Sequence, residues 1–390
     1  MRKKIQLPAI FLAGILAAAL PFQALAAATD SPDFARSEEE WARLRDNKLE
    51  YDEIPDLIHE YNVTVLNNRT SYRDHLGETP SDITQRYRDA AKELRNNIQY
   101  PDDPTDMSYA TMLMAAQMNE TQAQSLEKQA DTNVDDAQSI FLQYQQVEEN
   151  LVFSTKLNLI SYHQMLLSGQ LNREHKELLE ALYRSAQIQA QVGNATEMEV
   201  LTARQAIEQL EGTIISSDRE AQTLKQKICL ATGWSYDADP EFGSLPEVDF
   251  SRIDAIVLES DQALALENSY ALKISRRQYD NSTDSATREN LEKTIRDSRQ
   301  KIASDVTTKY QALLTARASY ELALAEKEIE EQNLLTTQRK LQAGTASQLE
   351  YQQEAYAVSE KTTAAQTAML NLLSAWETYQ ATVNGLASVS

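Results

Sequence analysis

The sequence predicts an all-α protein built from two repeats of long antiparallel helical hairpins. Three observations carry that class. Only nine glycines and nine prolines occur in 390 residues, while Ala, Leu, Gln and Glu abound, a composition suited to long helices. No Gly or Pro interrupts the chain between Pro246 and Gly344. One short stretch is also written twice, 151 residues apart: Val192, Gly193, Ala195, Thr196, Met198 and Glu199, then Ala343, Gly344, Ala346, Ser347, Leu349 and Glu350. In each copy a long amphipathic run ends at a glycine, small polar residues follow, and a second helical run begins at once. The glycine supplies a left-handed C-cap that a residue with a Cβ resists. Thr196 and Ser347 are the matching N-caps.

Along the chain, the positive start Met1 to Lys4, the apolar run Ile5 to Leu20 and the small residues Ala24 to Ala28 have the three regions of a secretory signal peptide, assigned to residues 1–28. No cysteine follows it to carry a lipid anchor, and the sole cysteine, Cys229, reads as a small buried hydrophobe. An N-terminal helical region fills 29–106. In it, Ser37 with Glu38, Glu39 and Glu40 starts a helix, a run entered at Pro55 carries on past Tyr61, and 81–98 is helical with a cap at Ser81.

The first hairpin repeat is placed at 107–233, with a break at 131–136 and then a helix reaching Val192, on the order of 85 Å long. Residues 197–231 return. Residues 234–250 hold two prolines, a glycine and several acids and read as the loop between repeats. The second repeat is placed at 251–386. Ile295, Ile302, Val306, Tyr310, Leu313, Tyr320 and Leu324 form one stripe on its long helix. Its break at 282–287 matches 131–136 at the same offset, and the last helix runs from Ser347 to about Asn384.

Removing the leader takes the formal charge from −22 to −25, which argues against nucleic acid and anionic membrane surfaces as partners. No stretch after the leader reaches the ~20 apolar residues of a transmembrane helix. His59, His75, His163 and His175 show no i, i+4 pairing and no neighbouring cysteine, so no zinc signature exists. There is no Gly-rich phosphate loop and no nucleophile elbow, so neither catalytic residues nor a cofactor is assigned. The expectation is a protein that is not an enzyme. Tyr310, Tyr320, Tyr351, Tyr356, Trp376 and Tyr379 have the spacing of packing residues between helices.

The doubled turn resembles the hairpin tip of the TolC, or outer membrane efflux protein, family, which reads roughly hydrophobic-Gly-x-x-x-x-hydrophobic-acid. Here those positions are Val192, Gly193, Met198 and Glu199, and Ala343, Gly344, Leu349 and Glu350. The run Asp261 to Asn268 is similar to a recurring helix start of the family, and the returning helices end in Gly233 and Gly385 as the family's do.

The resemblance implies a homotrimer whose hairpins pool into a hollow cylinder in the cell envelope. It implies tips that dock a periplasmic adaptor (membrane fusion) protein, and an inner-membrane ABC or proton-driven pump that feeds the conduit. In that reading Gly193, Gly344 and their neighbours are docking residues, and Glu199 and Glu350 are candidates for the pore constriction.

Two departures qualify the resemblance. The family carries a β-hairpin at the top of each long hairpin, and a membrane strand takes ~9–11 residues; the matched breaks offer six polar or small residues each, so no barrel strands are expected there. Gln353 and Thr202 also stand where the family often places a second tip acid. The competing reading is an exported helical rod or scaffold that binds an envelope partner without transport.

Overall fold

The computed structural model describes residues 36–101, 105 and 108–389, so the leader expected at 1–28 lies outside the described residues. Helix α1, Glu38–Leu44, starts as expected: the Ser37 Oγ accepts from the Glu40 N–H at 3.2 Å, and the Glu40 carboxylate accepts from the Ser37 N–H at 2.6 Å. Its Trp41 and Leu44 are buried. Strand β1, Lys48–Leu49, then pairs in parallel with β2, Glu241–Phe242, so the N-terminal region and the inter-repeat segment are stitched together. Sequence reading places β1 within the helical region 29–106 and β2 within the loop 234–250, because two-residue strands carry no periodicity.

The run entered at Pro55 does not continue past Tyr61. It divides into α2, Ile54–Tyr61, and α3, Val63–His75, at Asn62. The Asn62 side-chain Oδ1 accepts from the Thr64 N–H at 2.9 Å, and its Nδ2 donates to the Ala231 carbonyl at 2.7 Å. That side chain satisfies a new helix start, so no Gly or Pro is needed. Helix α4, Pro80–Asn96, begins one residue before Ser81 because Thr79 is the cap, in a capping box with Asp82. Helix α5 is Tyr109–Thr132.

The two long hairpins follow. Helix α6, Ala137–Gln191, has 55 residues and α7, Glu197–Ala231, returns along it. After β2 come α8, Phe250–Asp254, α9, Leu258–Asn268, and α10, Tyr270–Asn281. Helix α11, Ser285–Gln342, has 58 residues, and α12, Gln348–Ala381, returns to a final wide turn at Thr382–Leu386. The break before α6 is residues 133–136 and that before α11 is 282–284, short links capped by Asp136 and Asp284. Apart from β1 and β2, the described residues contain no strand pairing, and the class is all-α.

The long helices pack in the order α7, α6, α12, α11. Helices α2 and α3 lie on α6, while α9 and α10 lie on α11. The core sits at the inner ends of the hairpins, where Leu159, Ile160, Ile302, Leu313, Leu372 and Tyr379 are fully or almost fully buried. Tyr379 donates to Asp261 at 2.6 Å, and burial followed by that carboxylate pushes its phenol well above the ordinary tyrosine value. Cys229 is free and buried. Between residues 170 and 220, and between 314 and 364, no side chain is buried.

The two repeats are locked at equivalent points. Gly233 (φ +84°) closes α7 against Tyr61, and Gly385 (φ +124°) closes α12 against Asn268 and Tyr270. A Cβ at Gly233 would lie 2.2 Å from the Tyr61 Cβ and 3.0 Å from its carbonyl oxygen. Asn268 donates to the Val383 carbonyl at 3.2 Å, as Asn62 does to Ala231. Across the repeats, Arg277 of α10 grips Asp136, its Nε 2.7 Å from Oδ2, and Asn281 donates to the Val134 carbonyl at 3.0 Å.

Two stability predictions follow from these contacts. Gly233→Ala meets both positive φ and backbone in its way, and is expected to cost more than ~2 kcal/mol, read as a lower urea midpoint. Asp136 is the second case. Burial alone would raise its pKa, but Arg277 and the Ser139 N–H outweigh that and hold it below the usual aspartate range. Its stabilising contribution is therefore complete above the unfolded value of about 3.9 and disappears as pH falls through the lower folded one. Urea midpoints at pH 7 and pH 3 should lie closer together in Asp136→Asn than in the unaltered protein; an unchanged gap overturns the assignment.

Candidate docking site at the hairpin tips

Both tips are built by the same bonds. At the first, the Gly193 N–H donates to the Ala190 carbonyl at 3.1 Å and the Asn194 N–H to Gln189 at 2.8 Å. At the second, Gly344 donates to Leu341 at 3.0 Å and Thr345 to Lys340 at 2.8 Å. These are the paired bonds by which a left-handed residue closes a helix. Gly193 has φ +81° and Gly344 φ +71°, and a Cβ on either would meet nothing within 4 Å. The tip glycines answer to backbone conformation alone, unlike Gly233 and Gly385.

Thr196 and Ser347 then cap α7 and α12. Their side-chain oxygens accept from the Glu199 and Glu350 N–H groups at 3.3 and 3.1 Å. In return, the Glu199 carboxylate accepts from the Thr196 N–H at 2.6 Å, and the Glu350 carboxylate from the Ser347 N–H at 2.5 Å. Those backbone N–H bonds, and then the cap hydroxyls, hold both carboxyls below the usual glutamate range. Each acid proposed as a pore constriction thus has a local task at the start of its own helix, a reciprocal cap. Thr202, where a second acid was sought, donates to the Met198 carbonyl at 2.8 Å.

The tips differ in what they present. Val192 is 67% exposed and Met198 70% exposed, and Ile188 and Leu201 beside them are also exposed. Ala195 is half-buried. At the second tip Ala343 is exposed, while Ala346 and Leu349 are half-buried. At the common offset Ile188 and Leu201 correspond to Arg339 and Gln352. Sequence reading missed Ile188 and Leu201, although their positions four residues before Val192 and three after Met198 put them on neighbouring turns of the tip.

Among the described residues no group of three His, Cys, Asp or Glu could hold a metal ion. His59 and His75 lie 2.6 and 2.8 Å from Glu148 and Glu78, and His175 stacks on Tyr356 with ring centroids 4.7 Å apart. Among the described residues no helix is long and apolar enough to cross a membrane.

No family model and no curated relative matches the chain. Solved structures do. The open state of the Neisseria gonorrhoeae MtrE outer membrane channel aligns at 10% identity over 86% of this chain and 89% of that one, with a TM-score of 0.52. The fold is TolC-like. A membrane protein from Pseudomonas aeruginosa aligns at 13% identity over 83% and 93% of the two chains, with a TM-score of 0.49. The Campylobacter jejuni CmeC outer membrane channel aligns at 10% identity over 90% of each, with a TM-score of 0.45. At 10% identity the likeness to MtrE carries the fold alone.

The tip geometry separates two kinds of glycine experimentally. Gly193→Ala and Gly344→Ala are expected to cost ~1 kcal/mol each, from positive φ without a clash. A urea midpoint that falls as far in Gly193→Ala as in Gly233→Ala would show that the tip packs against something.

Proposed function

We propose that this chain is the conduit component of a tripartite efflux or type I secretion system in the cell envelope, working as a homotrimer. The observation that carries this reading is the unburied outer half of each long hairpin. Helices about 80 Å long that bury no side chain over 170–220 and 314–364 need other surfaces along their flanks. The outermost helices α7 and α11 carry exposed Ile215, Leu322, Ile329 and Leu335, the apolar residues that further copies would cover.

In this reading the tips dock the hairpins of a periplasmic adaptor (membrane fusion) protein, which links the conduit to an inner-membrane ABC or proton-driven pump. Val192, Met198, Ile188 and Leu201 supply apolar contact at the first tip, and Glu199 and Glu350 keep both helix starts rigid while lining the opening with charge. The protein is exported and acts as a channel, not as an enzyme. Where a cell has one membrane, the same conduit would stand on its outer face.

A rod without transport draws support from the short links at 133–136 and 282–284, which leave no room for barrel strands at those two places. Mass measurement of the purified mature protein separates the two readings. A trimer is expected, and a clean monomer at micromolar concentration overturns the conduit. Pull-down of a periplasmic adaptor protein is expected to fail with Gly193→Val/Gly344→Val while circular dichroism stays unchanged. Unaltered adaptor binding by that variant would remove the tips as the docking surface.

A further inference from the structure

The contacts around Gly233 and Gly385 show which elements correspond between repeats. Asn62 and Ser269 are both side-chain N-caps, the first dividing α2 from α3 and the second dividing α9 from α10. Each pair lies on the long helix of its own half, and each holds the glycine that ends the returning helix. The partner of α9–α10 is therefore α2–α3. In the second half α10 leads to α11 through 282–284 alone. In the first half the chain leaves at Glu78 and comes back at Ala137, whose N–H donates to the Glu78 carbonyl at 3.1 Å, with all of α4 and α5 between. The boundary expected at residue 107 lies outside the described residues, between α4 and α5 in the sequence.

Helices α4 and α5 form an arm. Their seam is Ala116, Ala123 and Ala130 of α5, seven residues apart and buried against α4, and α5 packs on no other helix to a comparable extent. The root is fixed by Asn133, which donates to the Pro80 carbonyl at 3.0 Å, and by Arg86, which pairs with Glu78 at 2.7 Å. At 24 residues, α5 reaches ~36 Å from that root.

Where α4 and α5 lie side by side the arm pairs its own charges. Arg95 pairs with Glu120 at 3.2 Å and also with Glu127, and Arg88 pairs with Asp131 at 3.3 Å. Farther out, residues 109–119 carry no charge at all, in a chain whose formal balance is −22. There Met114 is 69% exposed and Met118 74% exposed, with Met112 and Tyr100 also facing outward.

We propose that α4–α5 is an insert in the first repeat whose outer methionine face docks against the same arm on further copies of this chain, making a helical collar at the end opposite the tips. The proposal rests on the assembly argued above. Any assembly that sets the long helices side by side about one axis brings the arm roots into one ring, because the Arg277–Asp136 and Asn281–Val134 contacts fix both repeats' junctions at that end. Identical uncharged faces meet without opposing like charges, and methionine adapts to imperfect complementarity. A lipid surface fits less well, since the stretch of sequence that joins α4 to α5 carries Asp102, Asp103 and Asp106, and an anionic leaflet repels acids.

The test uses the full mature chain with Cys229→Ala, carrying either Met118→Cys or Lys92→Cys, treated with a short bis-maleimide. Covalent dimers are expected from Met118→Cys and not from Lys92→Cys, and Met114→Glu added to Met118→Cys should abolish them with circular dichroism unchanged. A trimer by mass that gives no Met118 dimer overturns the collar and leaves the conduit standing. A monomer by mass with no dimer overturns both. Flotation of the unaltered protein with phosphatidylcholine vesicles, lost in Met114→Glu/Met118→Glu, would assign the face to lipid and overturn the collar.

Discussion

The constraint on which the structure depends is that a small core must hold helices several times its own length. Apart from the alanine seam of the α4–α5 arm, burial is concentrated at the inner ends of α6, α7, α11 and α12 and in the short elements wrapped around them. Tyr379 sits there fully enclosed, bonded to Asp261 and packed against Tyr310 at 6.0 Å and Trp376 at 6.5 Å between ring centroids. A phenol in that position fixes both depth and rotation of α12, because its hydroxyl must meet one carboxylate while its ring fills the space. The 2.8 Å bond from Lys361 to Glu326 farther out is half-exposed and adds little. Register is set at the base, and helical rigidity carries it to the tips.

How much of this was legible in the sequence depended on whether a residue advertises its task. Gly193 and Gly344 stand out because a long run without glycine ends at each, and the caps Thr196 and Ser347 follow with Glu199 and Glu350 three residues on. The all-α class was legible for the same reason. Asn62 and Ser269 were not legible. A polar residue inside an amphipathic run looks like a solvated position until the structure shows that its side chain caps a new helix and that its neighbours meet Gly233 and Gly385. The β1–β2 pair was invisible because its partners are about 190 residues apart in the chain and two residues long. The return of Glu199 and Glu350 onto their own helix starts is spelled as Thr196-x-x-Glu199 and Ser347-x-x-Glu350, the capping-box pattern, which an assignment of these acids to a pore passes over.

The repeats are equal where backbone geometry matters and unequal where side chains are free. Both tips use the same pair of closing bonds, the same cap type and the same reciprocal glutamate. Both returning helices end in a positive-φ glycine pressed against a bend in a short helix pair. Between α3 and α6, by contrast, the first repeat accepts an arm that the second lacks, and one backbone bond from Ala137 to Glu78 closes the gap. A closure of that kind lets an insertion leave the helices on either side unchanged, because its ends emerge as close together as the ends of a short turn.

The same division accounts for the tips. In the proposed docking, the identical backbones fix where a partner would place its own chain, and the differing side chains set how strongly each contact would hold. Ile188, Val192, Met198 and Leu201 offer four exposed apolar groups at one tip, against Arg339, Ala343, Leu349 and Gln352 at the other. Apolar anchors contribute most of the free energy of docking, while polar and charged rims set orientation and exclude wrong partners. In the proposed trimer the two kinds of tip alternate around a ring, which would present strong and weak sites in turn. A partner docking on that ring would gain register from the alternation.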